Sequence, residues 1–205
     1  MKKNVLFAAV LCTAIAAALP AWALNQQSDV EALTCQGPAR IIFDNQSFEK
    51  TAVNETLCAA QYSPALPSSA QAAPWLSKST FQTQWVTQPQ KDVLHTLQSF
   101  IPQGGALKGY NHQNPDDMTS LYQAVEREEK ADTLNYIVLR GVRQSDNSVR
   151  VYQFRVTLTA TPKPAHGYDE QNKGPYEEAY DSFDNLVKKY QNQWFNQIQT
   201  FEIED

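Results

Sequence analysis

Three histidines, His95, His112 and His166, are the side chains of this sequence best suited to moving a proton or holding a metal. His112 and His166 sit in polar stretches with carboxylates close by, Asp116 and Asp117 for the first, Asp169 and Glu170 for the second. Imidazole with carboxylate suits zinc or a harder transition metal. The spacing does not develop that chemistry, because there is no H-E-x-x-H and neither stretch sets two ligands on one helix face. His95 falls inside a helical pattern, between Leu94 and Thr96, and reads as an ordinary helix residue. No metal or cofactor is assigned on these grounds.

Nucleophilic chemistry has no better signature. There is no G-x-S-x-G elbow, and the serines cluster in polar or Pro-rich segments. A triad assembled from distant loops stays open, since triads are defined by geometry and not by order. The 22 acidic residues offer many carboxylate pairs, and none stands out as a glycosidase pair. Gly104-Gly105 lacks the strand and lysine of a phosphate loop. No catalytic residue is assigned. A secreted hydrolase, or a small-ligand or metal-binding protein built around His112 and His166, stands as the alternative reading.

Aromatic residues in loop-like sequence suit contact with another molecule, because rigid rings supply area at low entropic cost. Trp75 follows Pro74, and is either a lid on the core or a contact residue; Tyr110 and Tyr168 lie beside glycines. With His112 and the arginines Arg140 and Arg155, these form the expected partner-binding set.

The elements that would position these residues are organised around 134–160. Two runs rich in β-branched and aromatic residues flank Q-S-D-N-S, the pattern of an antiparallel hairpin. A two-residue turn at Asp146-Asn147 would pair Gly141 with Tyr152, Leu139 with Phe154 and Ile137 with Val156. That register puts Ile137, Leu139, Tyr152, Phe154 and Val156 on one face, and Arg140 and Arg155 together on the other. It also sets Arg143 against Arg150, so the tip is either solvated or meets something acidic.

Around the hairpin, strands are expected at 39–43 and 79–87. Helices are expected over 47–60, from Pro89 to Pro102, and from Pro115 through Val125. Residues 103–115 read as a surface loop, by their glycines and proline. The longest helix spans 176–198, where Tyr176, Tyr180, Phe183, Val187, Tyr190, Trp194 and Ile198 recur at steps of three and four. The tail is either an ordered edge piece through Phe201 and Ile203 or a frayed end. The expected class is α+β, an antiparallel sheet covered by helices.

The N-terminus leads to the expectation that this domain is exported. Lys2-Lys3, an apolar Ala-rich run and Ala21-Trp22-Ala23 have the form of a cleaved signal peptide over 1–23. One domain is then expected over 24–205, with 24–61 a disulfide-pinned section and 62–74 a Pro-, Ser- and Ala-rich loop. Cleavage removes Lys2, Lys3 and Cys12. The formal charge of −5 becomes more negative by two, which argues against a nucleic-acid partner. Cys35 and Cys58 remain, and an even pair in an oxidising compartment reads as one disulfide. No transmembrane segment is expected after cleavage. The resulting expectation is a periplasmic or secreted protein-binding module, with an inhibitor or immunity-type neutraliser of another protein as its sharper form. A structural or assembly factor of the envelope is a second alternative, favoured if hairpin edges stand open.

Overall fold

The computed structural model describes residues 35–66, 72–111 and 114–204. The signal-peptide expectation over 1–23 therefore lies outside the described residues, as do His112 and part of the 62–74 loop.

Among the described residues nine strands form one sheet: β1 (Arg40–Phe43), β2 (Gln46–Asn54), β3 (Ala59–Pro64), β4 (Ser79–Val86), β5 (Ala106–Asn111), β6 (Asp117–Arg127), β7 (Asp132–Arg143), β8 (Val149–Ala160) and β9 (Glu202–Glu204). Their order across the sheet is β5-β6-β7-β8-β4-β3-β2-β1-β9, every pairing antiparallel. Among the described residues two α-helices pack on it, α1 (Val93–Gln98) and α2 (Pro175–Gln197), besides a 3-10 turn at Leu76–Lys78. The architecture is α+β and dominated by strands.

The hairpin forms, but one residue out of the expected register. Its loop has three residues, closed by bonds from Asn147 N–H to Gln144 O (3.0 Å) and from Gln144 N–H to Ser148 O (2.8 Å). Asn147 takes the left-handed conformation (φ 69°) that ends such a loop. Gly141 consequently pairs with Val151, Leu139 with Gln153 and Ile137 with Arg155. A slip of one residue exchanges faces, so Arg140 and Arg155 stand on opposite sides of the sheet. Alternation could not select the register, because β7 is buried on both faces: Leu134, Tyr136 and Val138 on one, Ile137 and Leu139 on the other.

Four further expectations are corrected. Residues 47–60 are not a helix but most of β2 and the start of β3, and the supposed inner residues Val53 and Leu57 are 40% and 55% exposed. The stretch after Pro115 is strand β6, paired with β7 over its whole length; Met118, Ser120, Tyr122 and Ala124 repeat every second residue and are buried. The 103–115 stretch contains edge strand β5, and the 62–74 segment begins as the end of β3.

The two faces differ. On one, α2 lays Phe183, Val187, Trp194 and Ile198 against Tyr136, Val138, Phe154 and Val156. On the other, α1 lays Val93 and Leu97 over Ile137, Leu139, Val149 and Val151. Asp92 caps α1 by accepting the His95 N–H at 2.8 Å. The Glu177 carboxylate caps α2 by accepting the Gly174 N–H at 2.9 Å.

The sheet is strongly curled. Phe43 on β1 stacks on Phe154 on β8, with ring centroids 4.3 Å apart, although β2, β3 and β4 separate those strands in the sheet. At about 4.8 Å per strand a flat sheet would hold them on the order of 19 Å apart. The α2 face is therefore concave, and it closes on an aromatic core of Phe43, Phe48, Trp75, Phe81, Phe154 and Trp194. Trp75 meets Phe43, Phe154 and Trp194 edge-to-face at 6.3, 5.4 and 5.9 Å.

Candidate functional site

Curling leaves a mouth at one end of the concave face, and the mouth holds an open cleft of about 620 Å³. The Gln36–Ala39 segment forms one wall, β4 and β8 form another, and Ile203 of β9 closes a third side. The first wall is fixed covalently, because the Cys35–Cys58 disulfide is formed across a separation of 23 residues. Gly37 lies so close to the sheet that a Cβ there would stand 2.5 Å from the Tyr62 hydroxyl and 3.1 Å from Thr83 Oγ1. Tyr62 in turn donates its hydroxyl to Pro38 O at 3.1 Å.

The floor carries the chemistry. Trp85 and Arg150 are directly paired across β4 and β8, and the guanidinium carbon lies 5.4 Å from the Trp85 ring centre. This is cation–π geometry. Lys50 lines the same cleft, donating its ammonium to Gln36 O and Gly37 O at 3.2 and 3.1 Å. No Asp or Glu lines it, and Arg150 has no ion-pair partner among the described residues. Beyond Trp85 a second concavity of about 590 Å³ shares Trp85, Gln84 and Cys58 with the first and has one carboxylate, Asp146. Bonds from the Ser148 hydroxyl and backbone N–H, and to a lesser degree the charge of Arg150, hold that carboxyl below its ordinary pKa. The mouth therefore presents two cations beside a flat aromatic wall. It can attract a carboxylate and give an apolar group a surface to lie on.

The expected contact residues do not converge there. Trp75 is fully buried, so its place is in the core and not on a contact surface. Arg140 is mostly buried and clamps structure: Nε and Nη2 donate to the two oxygens of Asp117 at 2.8 and 2.7 Å, and Nη1 to Gln199 O at 3.0 Å. Arg155 lies on the opposite face of the sheet. Tyr110 is 49% exposed on edge strand β5, not in a loop. Tyr168 is 46% exposed in the loop before α2, where its ring packs edge-on against Tyr180 at 5.5 Å. The exposed His166 lies 3.9 Å from Asp169, and no three potential metal ligands gather among the described residues.

Trp85 and Lys50 escaped the sequence reading for identifiable reasons. Trp85 continues the alternation Phe81, Thr83, Trp85, and so passes for a core residue. Lys50 fell inside a supposed helix. The signal that did exist was Arg150, a cation beside the hairpin turn that the expected register set against a second cation, Arg143.

One buried polar cluster is architectural. Asp132 accepts Lys163 Nζ at 2.8 Å and the hydroxyls of Tyr176 and Tyr180 at 2.6 and 2.7 Å, tying β7 to the first turns of α2.

Compared with known proteins, the chain matches no family model, and no curated protein matches it.

Proposed function

We propose that this protein is an exported protein-binding module that takes an acidic segment of an envelope or secreted partner into the Trp85–Arg150 cleft, in the manner of an inhibitor or immunity-type neutraliser. The observation that carries the reading is Arg150, spread over Trp85 in an open cleft lined by no carboxylate among the described residues, in a chain whose overall charge is −5. A cationic and aromatic recess on an acidic protein is complementary to a carboxylate, while the net negative charge of the chain disfavours self-association. Export is supported by the Lys2-Lys3 and Ala21-Trp22-Ala23 pattern and by the formed disulfide.

The assembly-factor reading receives less support from the sheet. The β7–β8 hairpin is interior, flanked by β6 and β4. One end strand, β5, is interrupted by a bulge around Lys108, and the other, β9, is three residues long with Glu202 and Glu204. Bulges, charges and shortness are the devices that discourage edge-to-edge pairing. The runner-up is a small-ligand binder, favoured by the cleft volume, which falls in the range of small-molecule sites.

The test uses the mature chain from Leu24, with its disulfide intact, immobilised against envelope and secreted extracts. The expected result is one stoichiometric protein retained by the wild type, released by salt, and lost with Arg150→Glu and Trp85→Ala while both variants keep a cooperative melt. Retention of the same protein by both variants would remove the cleft from the interface. Retention of nothing, with Trp85 fluorescence answering instead to small carboxylates, would transfer the reading to the runner-up.

A further inference from the structure

Among the described residues, the convex face of the sheet is covered by α1 over β6, β7 and β8. Over β8, β4, β3 and β2 it carries polar side chains. Gln153, Gln82 and Gln61 stand in register on three adjacent strands, and Arg155 is paired with Thr80 in the neighbouring row. With Ser63 and Thr51 they line a groove of about 190 Å³.

Arg155 is the anomaly. Its Nε–H is buried without a hydrogen-bond acceptor, and it forms no ion pair among the described residues. Glu126 is the carboxylate whose charge reaches it, and that group is itself occupied in accepting a bond from Asn135. Burial lowers the Arg155 pKa from its ordinary value. A guanidinium N–H withdrawn from water without an acceptor is costly, and native structures normally satisfy such a group. The groove around it supplies amides and hydroxyls and, among the described residues, is lined by no carboxylate.

We propose that the groove is a second binding site, independent of the cleft, for a small polar molecule bearing an oxyanion, with Arg155 holding the oxyanion and the Gln61–Gln82–Gln153 row holding hydroxyl groups. An in-register row of amides, each both donor and acceptor, suits a polyhydroxylated body, and Arg155 supplies the planar fork that fits a carboxylate or phosphate. An acidic sugar combines both features; free phosphate shares the oxyanion alone.

The experiment titrates the folded mature protein with sodium glucuronate, inorganic phosphate and glucose, following the ¹⁵N–¹H resonance of Arg155 Nε and the heat of binding. The expected result is saturable glucuronate binding that moves the Nε–H resonance, weakens at least tenfold in Arg155→Gln, and is unchanged in Arg150→Glu. Saturable phosphate binding without glucuronate binding, with the same dependence on Arg155, keeps the site and assigns it to phosphate. Absence of saturable binding to both anions, or glucose bound as well as glucuronate, overturns the proposal. If Arg155→Gln does not fold, Gln82→Ala at its half-exposed position takes its place; glucuronate affinity equal to wild type there overturns it too. Because Arg150→Glu is silent in this assay, failure here leaves the cleft reading standing, and failure of the cleft leaves this one.

Discussion

Arg140 and Asp117 are joined by two parallel hydrogen bonds, at 2.8 and 2.7 Å, across strands β7 and β6. The same guanidinium donates to the carbonyl of Gln199, just beyond the last turn of α2. One side chain thus ties the sheet to the end of the helix, where unpaired carbonyls collect and positive charge is favoured. Replacing Arg140 by alanine leaves a partly buried Asp117 and these carbonyls without their donor. The expected loss is about 2 kcal/mol, read as a lower denaturant midpoint at unchanged slope.

Asp132 makes stability depend on pH at the other end of α2. Burial by itself would raise its pKa, but bonds from Lys163, Tyr176 and Tyr180, together with the lysine charge, outweigh it and set the folded value below the ordinary 3.8. A depressed carboxyl stabilises the fold above the unfolded-state value, and the contribution drains away as pH falls through the folded value. Denaturation curves collected downward from pH 5 should show the wild type losing stability below about pH 4 more steeply than Asp132→Asn, which lacks this titration. Equal slopes would mean that Asp132 contributes nothing to acid unfolding.

The Cys35–Cys58 bridge should support the cleft wall as well as global stability. Closing a loop with a separation of 23 residues is worth about 3 kcal/mol in the unfolded-chain picture. The double Cys→Ser variant should melt earlier by that amount. Its Trp85 emission should also shift toward that of an exposed indole in the native baseline, before the main transition, as the 36–39 wall loosens. An unchanged baseline would show that the wall is held by Gly37 and Tyr62 packing alone.

Gly141 marks where α1 touches the sheet. A Cβ there would stand 2.7 Å from Val93 Cγ1 and 3.0 Å from Leu97 Cδ2. Gly141→Ala should therefore cost about 1–3 kcal/mol by overpacking. Combining it with Val93→Ala should recover part of that loss, in a double-mutant cycle by thermal melting.

Two Asp-Asn pairs show how far local sequence reaches. Asp44-Asn45 forms the tight two-residue turn, both residues at positive φ (54° and 57°), between β1 and β2. The same dipeptide at 146–147 does not. There Asp146 turns its carboxylate onto Ser148, accepting the backbone N–H at 2.9 Å and the hydroxyl at 2.6 Å, and only Asn147 is left-handed. One extra loop residue moved every pairing of the hairpin and parted Arg140 from Arg155.

What the sequence determined by itself was whatever rests on strong local periodicity or on covalent chemistry. The α2 stripe from Tyr176 to Ile198, the two long strands of the hairpin, β4 and the cysteine pair all belong to this class. Each is specified by its own residues, because a 23-residue amphipathic helix or a run of β-branched side chains has no competing local solution. Strands β2 and β6 were decided elsewhere: their apolar residues fit a helical spacing, and pairing with β3 and β7 overrode it. The cleft belongs wholly to tertiary structure. Trp85, Arg150, Lys50 and Ile203 meet because a curled sheet brings β1 and β9 back over β8, and curvature of a nine-stranded sheet is a property of all its strands together.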